Sequence, residues 1–401
     1  MIDVAEAEKI ILSNTFTPNI IEIPLELSID RVLQEDVFTD TDFPPFDRIM
    51  MDGIAINFDE YENGRREFKV AGIQAAGKPQ QTLIDKTECL EAMTGAILPN
   101  GTDTIIQYEL LEFNDEKTVA RINDEDIERG RNIHNKGTDK KAGDLLIKKG
   151  VIVSAAELAV MASVGKTSVK VSQHPRVAVI STGDELVEID QEPLPHQIRR
   201  SNIYAIQAEL NKLGLKCSKH HLNDEKDELE KSILKILEDH EVLILSGGVS
   251  MGKFDFVPEV LDTCGVKKLF HKIKQKPGKP FWFGVRDQKN VAFAFPGNPV
   301  STFMCFHRYF KPWLMKSMEI AEVKKYYAVL NDSIDFKAPL TYFLQVKTHF
   351  DQNANLCAQP IVGRGSGDHA NLLEADGFLE IPGGSEAIKK GQVFRYFPFR
   401  N

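Results

Sequence analysis

What this sequence lacks narrows it first. Its five cysteines, Cys89, Cys217, Cys264, Cys305 and Cys357, are widely spaced and form no C-x-x-C pair. A disulfide framework is therefore not expected, and a reducing cytoplasm is the natural setting. No apolar run approaches the roughly 20 residues that a membrane span needs. The opening MIDVAEAEKIILS has an early acidic residue and no basic stretch before its apolar run, so it does not read as a signal peptide. A basic surplus is also missing. Lys and Arg number 49 against 59 Asp and Glu, a net charge of −10, which disfavours a nucleic-acid partner. His220 and His221 are adjacent and so point in different directions, which supports no zinc site. Neither GxxxxGK[ST] nor GxGxxG occurs, so a Walker NTPase and a standard dinucleotide binder are both unsupported.

What is present is a soluble, multidomain pattern. With 401 residues the chain is too long for one ordinary core. The middle alternates strand and helix. RVAVIS (176–181) is a β-branched run. SNIYAIQAELNKLGLK follows, with Ser201 and Asn202 as expected helix caps, then KCSKHHL as a strand. NDEKDELEKSILKILEDH is an amphipathic helix, EVLILSGG a buried strand, and DFVPEVLDTCG a short helix. A hairpin, KPFWFGVRDQKNVAFAFPG, precedes a helix in which Asn298 is expected to cap and Pro299 to sit at the first position. This predicts a doubly wound α/β domain over 175–322. Residues 46–144 read as a β-rich insert of short strands. Residues 1–45 and 145–174, with Ser154 and Glu157 at capping-box spacing, read as one discontinuous helical and mixed linking domain around that insert. TYFLQVKTHF, NLCAQPIV, GFLEIP and QVFRYFPF predict a C-terminal β-barrel over 323–401.

In an open α/β sheet, ligands bind beyond the carboxyl ends of the strands. Here the loops STGDEL, NDEKD, SGGVSMGKFD, KPGKP and FPGNPVS all follow strands of the central domain. Gly247 and Gly248 allow a ligand to approach the backbone closely. Lys276 and Lys279 flank a Pro-Gly turn and suit an oxyanion. Glu185, Asp224 and Asp255 stand in three loops of one rim, where converging carboxylates call for a cation; Mg²⁺ with a phosphate ligand is the natural candidate. The plainer reading of Asp224 and Asp255 is that each caps a helix. The residues alone thus point to an anionic, phosphorylated small molecule and a divalent cation.

PPFDRIMMDGIAI, MTGA, STGDEL, SGGVSMGKFDF, KPGKP and PGNPVS, in that order, resemble the MoeA and gephyrin E-domain family of molybdopterin molybdotransferases. The resemblance runs from about residue 5 to the C-terminus. It implies insertion of molybdate into adenylylated molybdopterin, with Mg²⁺-dependent release of AMP, by an elongated four-domain homodimer. It also implies transient contact with other proteins of cofactor biosynthesis. Carried over by motif, Asp52, Thr94, Asp139, Glu185, Asp224 and Asp255 are catalytic, and Glu185, Asp224 and Asp255 hold Mg²⁺. Gly247, Gly248, Ser250, Lys276, Lys279, Pro296, Asn298, Ser301, Gln345, Lys347 and Ser366 bind substrate, with Ser366 of GRGSGDH at the molybdate.

The chain departs from the family pattern at Met50 and Ile54, and at Gln345, where arginine is usual. Gln345 and Lys347 share a strand face, so Lys347 could replace the missing charge, though not the bidentate geometry. Two other functional readings remain at this stage: a binding-only paralogue, and a scaffold of the same fold without turnover.

Overall fold

In a computed structural model, residues 1–250, 255–361, 363, 365–384 and 388–400 are described. Met251–Phe254 of SGGVSMGKFDF and Arg364 of GRGSGDH lie outside the described residues. The chain divides into two compact units: Met1–Glu35 with Lys149–Leu158 and Ser168–Asn401, and Asp36–Lys148 with Ala159–Thr167.

The first unit is built on a six-stranded sheet. Its order is Cys217–Leu222, Val177–Thr182, Val242–Ser246, Asn290–Phe295, Trp282–Arg286, Lys267–His271. The first four strands are parallel, and the last two join antiparallel, as the expected hairpin requires. Every residue of Val177–Thr182, Val242–Ser246 and Asn290–Phe295 is buried. The reason is that both faces are covered, so these strands need apolar side chains at odd and even positions alike. Ile203, Ile206 and Leu210 of the helix Asn202–Lys212 cover one face, together with Phe306, Phe310 and Trp313, the last two packing on Phe293 of the sheet. Leu229, Ile233 and Ile236 of the helix Lys226–Asp239 cover the other, with Val257 and Val260 of the helix Val257–Thr263. Parallel pairing brings the ends at Thr182, Leu222, Ser246 and Phe295 to one edge.

Two expected caps are used differently. Ser201 makes no side-chain cap bond. Asn202 instead donates from Nδ2 to Ser246 Oγ at 2.9 Å and to the Gly297 carbonyl at 2.6 Å, fastening the helix to two loops of the edge. Asn298 occupies the N-cap position of the helix Pro299–Cys305 but makes no cap bond. That helix continues through a π-helical turn, Phe306–Phe310, into the helix Lys311–Ser317. Within the turn Arg308 is almost fully buried and bonds Glu8 at 2.8 Å and Glu380 at 2.8 Å.

The N-terminal helix Val4–Ser13 is capped by Asp3, whose Oδ1 accepts from the Glu6 amide at 2.8 Å. Val4, Ala7 and Ile11, at helical spacing, bury against the sheet's core. Ile20–Pro24 then pairs antiparallel with Ser168–Ser172, joining chain segments that lie on either side of the insert. The Ser154–Glu157 capping box forms, with the Ser154 amide donating to Glu157 Oε2 at 2.8 Å.

A closed five-stranded barrel ends the unit. It runs Thr341–Phe350, Leu356–Pro360, Tyr326–Leu330, Val393–Pro398, Gly377–Ile381 and back to the first. Leu344 and Val346 point into it, whereas Phe343, on the opposite face, joins the α/β core. Gln275–Lys276 pairs alongside Thr341–Tyr342.

The second unit is a six-stranded sheet ordered Thr104–Gln107, Gly53–Ile56, Glu88–Ala92, Glu67–Gln74, Val119–Ile122, Leu111–Phe113. Ile54, Ile56, Phe68, Ile106 and Ile122 form its core. Gly53 is required there: a Cβ would lie 1.8 Å from the Ile106 carbonyl oxygen. Among the described residues no helix is long and apolar enough to cross a membrane.

Candidate active site

The carboxyl edge of the α/β sheet gathers four carboxylates. Burial, and then neighbouring Asp184, Glu185 and Asp255, push the Asp224 carboxyl up to about 6. The Asp224 amide donates to Asp184 Oδ1 at 3.1 Å. The N-cap positions fall on Glu225 and Phe256, one residue beyond Asp224 and Asp255, so neither aspartate occupies the N-cap itself. Asp184 was missed by the sequence reading, although it stands beside Glu185 in the same loop. The expected three-carboxylate cage is looser than foreseen. Among the described residues no three His, Cys, Asp or Glu are gathered closely enough to hold a metal ion. The oxygen donors and their mutual repulsion fit a hydrated hard cation that is completed by a phosphate ligand.

Gly247 and Gly248 have φ of +105° and +66°. Cβ atoms there would lie 2.8 Å from the Thr182 carbonyl oxygen and 2.5 Å from Val257 Cγ2. Close packing of the loop on the sheet's edge therefore already requires both glycines. His271 fixes the same loop, its Nε2 donating to the Val249 carbonyl at 2.9 Å. Ser250 is exposed at the loop's end.

Lys276 and Lys279 are both exposed, and among the described residues neither has an ion-pair partner. The turn between them is anchored from below. Gln275 Nε2 donates to the Gly278 carbonyl at 2.9 Å, and Tyr309 donates to Gln275 Oε1.

Ser366 reaches this edge from the barrel side. Asn298 Nδ2 donates to Ser366 Oγ at 2.8 Å, and the Val300 amide donates to the Ser366 carbonyl at 3.2 Å. The carbonyl of Pro296 accepts from Thr302 Oγ1, and Ser301 is buried beside it. Gln345 and Lys347 part company despite sharing a face. Gln345 is buried, and among the described residues its Oε1 has no hydrogen-bond partner. Lys347 is exposed, its Nζ 3.7 Å from Asp376. Asp376 thus stands beside the Lys347 ammonium on the exposed side of the strand.

In the second unit Asp52 and Thr94 meet. The Thr94 amide donates to Asp52 Oδ1 at 2.6 Å, and this bond, with the Thr94 hydroxyl, holds Asp52 below the usual carboxylate range. Tyr108 follows closely: its amide donates to the Asp52 carbonyl, and its hydroxyl to Glu91. Burial first, then that carboxylate, raise the Tyr108 phenol. Asp139 belongs to a different cluster, bonded at 3.0 Å to His134 Nε2. Tyr108, Glu91 and His134 lie outside the quoted motifs, and no periodicity marks them.

Three family models match successive parts of the chain: the MoeA N-terminal region (domain I and II) at residues 2–165, the "Probable molybdopterin binding domain" at 178–316, and the MoeA C-terminal region (domain IV) at 327–399. A protein named molybdopterin molybdenumtransferase from Synechocystis sp. is 42% identical, over 99% of this chain and 100% of its own length. One of the same name from Staphylococcus epidermidis is 31% identical, over 98% of this chain and 94% of its own. Two crystal structures of the molybdopterin biosynthesis moeA protein from Pyrococcus horikoshii cover the whole of both chains, with TM-scores of 0.83 and 0.84 at 30% and 26% identity. With matches that run from end to end, the chain belongs to the MoeA family.

Proposed function

We propose that this chain is a molybdopterin molybdenumtransferase: it inserts molybdenum from molybdate into adenylylated molybdopterin and releases AMP. The name borne by relatives up to 42% identical over their full length supports the activity. The observation that carries the site reading is the acidic rim, where burial and then repulsion among the carboxylates push Asp224 up to about 6. Such a cluster suits a ligand that brings both a cation and phosphates.

Glu185, Asp224 and Asp255, with Asp184 beside them, would hold Mg²⁺; when bound it neutralises charge on the pyrophosphate. The loop at Gly247 and Gly248 forms the floor under the phosphate chain. Lys276 and Lys279 attract molybdate, and Ser366, Asn298 and Gln345 supply neutral hydrogen-bonding groups for its oxygens. In the balanced reaction, the two dithiolene thiols replace two molybdate oxygens, which leave as two waters carrying the two thiol protons and two more taken from solution. One water then cleaves the phosphoanhydride, leaving AMP and a terminal phosphate on the pterin. Asp52, with Thr94, and Asp139 belong to the same machinery in this reading. It includes a four-domain division, a homodimer in the cytoplasm, and transient contacts with proteins that deliver the substrate.

Incubation of purified protein with adenylylated molybdopterin, molybdate and Mg²⁺ tests this. Release of AMP together with active cofactor is expected. Ligand retained without AMP would mean a binding-only paralogue; neither binding nor release would mean a scaffold.

A further inference from the structure

We propose that Arg48 and His134 form a positioning chain for Asp139, which makes His134 a further determinant of turnover. The inference rests on Asp139 belonging to the machinery of the reaction proposed above.

The geometry begins with strand register. Arg48–Ile49 pairs antiparallel with Ile133–His134, so Arg48 stands directly opposite His134. The loop beyond His134 is pinned onto the segment from Phe43 to Asp47. The Lys136 amide donates to Asp47 Oδ1 at 2.7 Å, the Gly137 amide to the Pro44 carbonyl at 3.0 Å, and the Asp139 amide to the Phe43 carbonyl at 2.9 Å. The backbone of Asp139 is thus fixed, but its side chain is 57% exposed, so packing does not select its rotamer. The bond from His134 does. His134 Nε2 lies 3.0 Å from Asp139 Oδ1, and Arg48 Nη2 lies 3.2 Å from His134 Nδ1.

Donor chemistry fixes the tautomer. A guanidinium only donates, so Nδ1 must accept, and the ring proton sits on Nε2. Nε2–H therefore donates to Asp139, and Arg48 holds the ring in that state. This is the orienting logic by which a third group fixes an imidazole and the imidazole fixes its partner. Because the groups lie at the surface of the unit, the chain contributes little to stability. Its effect is on where the Asp139 carboxylate points.

The test compares His134→Leu, His134→Gln, Asp139→Asn and the double variant His134→Leu/Asp139→Asn for turnover, substrate half-saturation and Tm. Glutamine can donate from Nε2 and accept at Oε1, as the neutral ring does. We expect His134→Leu to lower kcat by about 10- to 100-fold, with half-saturation and Tm nearly unchanged. Glutamine should restore most of that loss, and the double variant should be no slower than Asp139→Asn alone. A fully active His134→Leu beside an impaired Asp139→Asn would overturn the chain while leaving the proposed reaction standing. Failure of rescue by glutamine, or additive losses, would also overturn it. A fully active Asp139→Asn would overturn the role of Asp139 and the chain with it.

Discussion

Asn298 and Ser366 stand 68 residues apart in the chain, yet Asn298 Nδ2 donates to Ser366 Oγ at 2.8 Å. The start of a helix in the α/β sheet is thereby tied to a loop of the C-terminal barrel. Ser366→Ala removes one partly exposed bond and should lower stability by about 1 kcal/mol or less. If that hydroxyl also meets molybdate, a bond to a charged group worth roughly 1.5–3 kcal/mol is lost, and half-saturation by molybdate rises about tenfold or more. Titration of cofactor formation with molybdate reads this; an unchanged midpoint removes Ser366 from the site.

Asp224 sets a pH dependence. Its value of about 6 lies above that of an unfolded aspartate, so the folded protein binds the proton more tightly. This contribution to stability is full below about 4 and is lost as pH rises through about 6. Asp224→Asn should therefore raise Tm relative to the native protein at pH 7 and not at pH 4. Mg²⁺ should stabilise the native protein more than the variant at pH 7. Parallel Tm curves across that range would show that the rim carries no such strain.

Gly53→Ala tests the packing of the second unit. A methyl group 1.8 Å from the Ile106 carbonyl oxygen cannot be accepted without moving a strand. The expected cost is about 3 kcal/mol, seen as a lower urea midpoint. A wild-type midpoint would mean that the strands separate readily there.

Gln345 and Lys347 should separate in their effects. Among the described residues the buried Gln345 Oε1 lacks a partner, so Gln345→Leu should change stability by less than about 1 kcal/mol while weakening use of molybdate. Lys347→Ala should leave the molybdate midpoint within about twofold, since its ammonium faces Asp376 in an exposed pair worth about 1 kcal/mol at most. A large shift from Lys347→Ala would return that lysine to the anion.

Lys276 and Lys279 support no core, so the double alanine variant should keep its Tm and lose affinity for molybdate, most clearly at low salt. Full molybdate dependence in that variant would reject the oxyanion role.

The parts legible in the sequence were those with local causes. VLIL and VAVIS are apolar at every position because both faces of the sheet are covered, and that run needs no knowledge of its partners. The Ser154–Glu157 box closes over three residues and formed as read. What stayed hidden depends on distant partners. Asn202 reads as a cap, but its amide is taken by Ser246, 44 residues away. Period two placed Gln345 and Lys347 on one face, but nothing local foretold that one would be buried and the other drawn to Asp376. The π-helical turn at Phe306–Phe310 is equally silent, although it carries the buried Arg308 and its two carboxylate partners.

That arginine has a consequence for the order in which the molecule can assemble. Glu8 is bonded by Arg308 and by Arg395, the Asn14 carbonyl accepts from Trp313 Nε1, and Ile2 bridges to Ile273. A ribosome delivers residues 2–14 long before any of these partners exists. The N-terminal helix, too short to be stable alone, must wait until residue 395 has emerged before all its contacts are made. An element synthesised well before its partners is thus among the last to be locked, and it closes the α/β core and the barrel together.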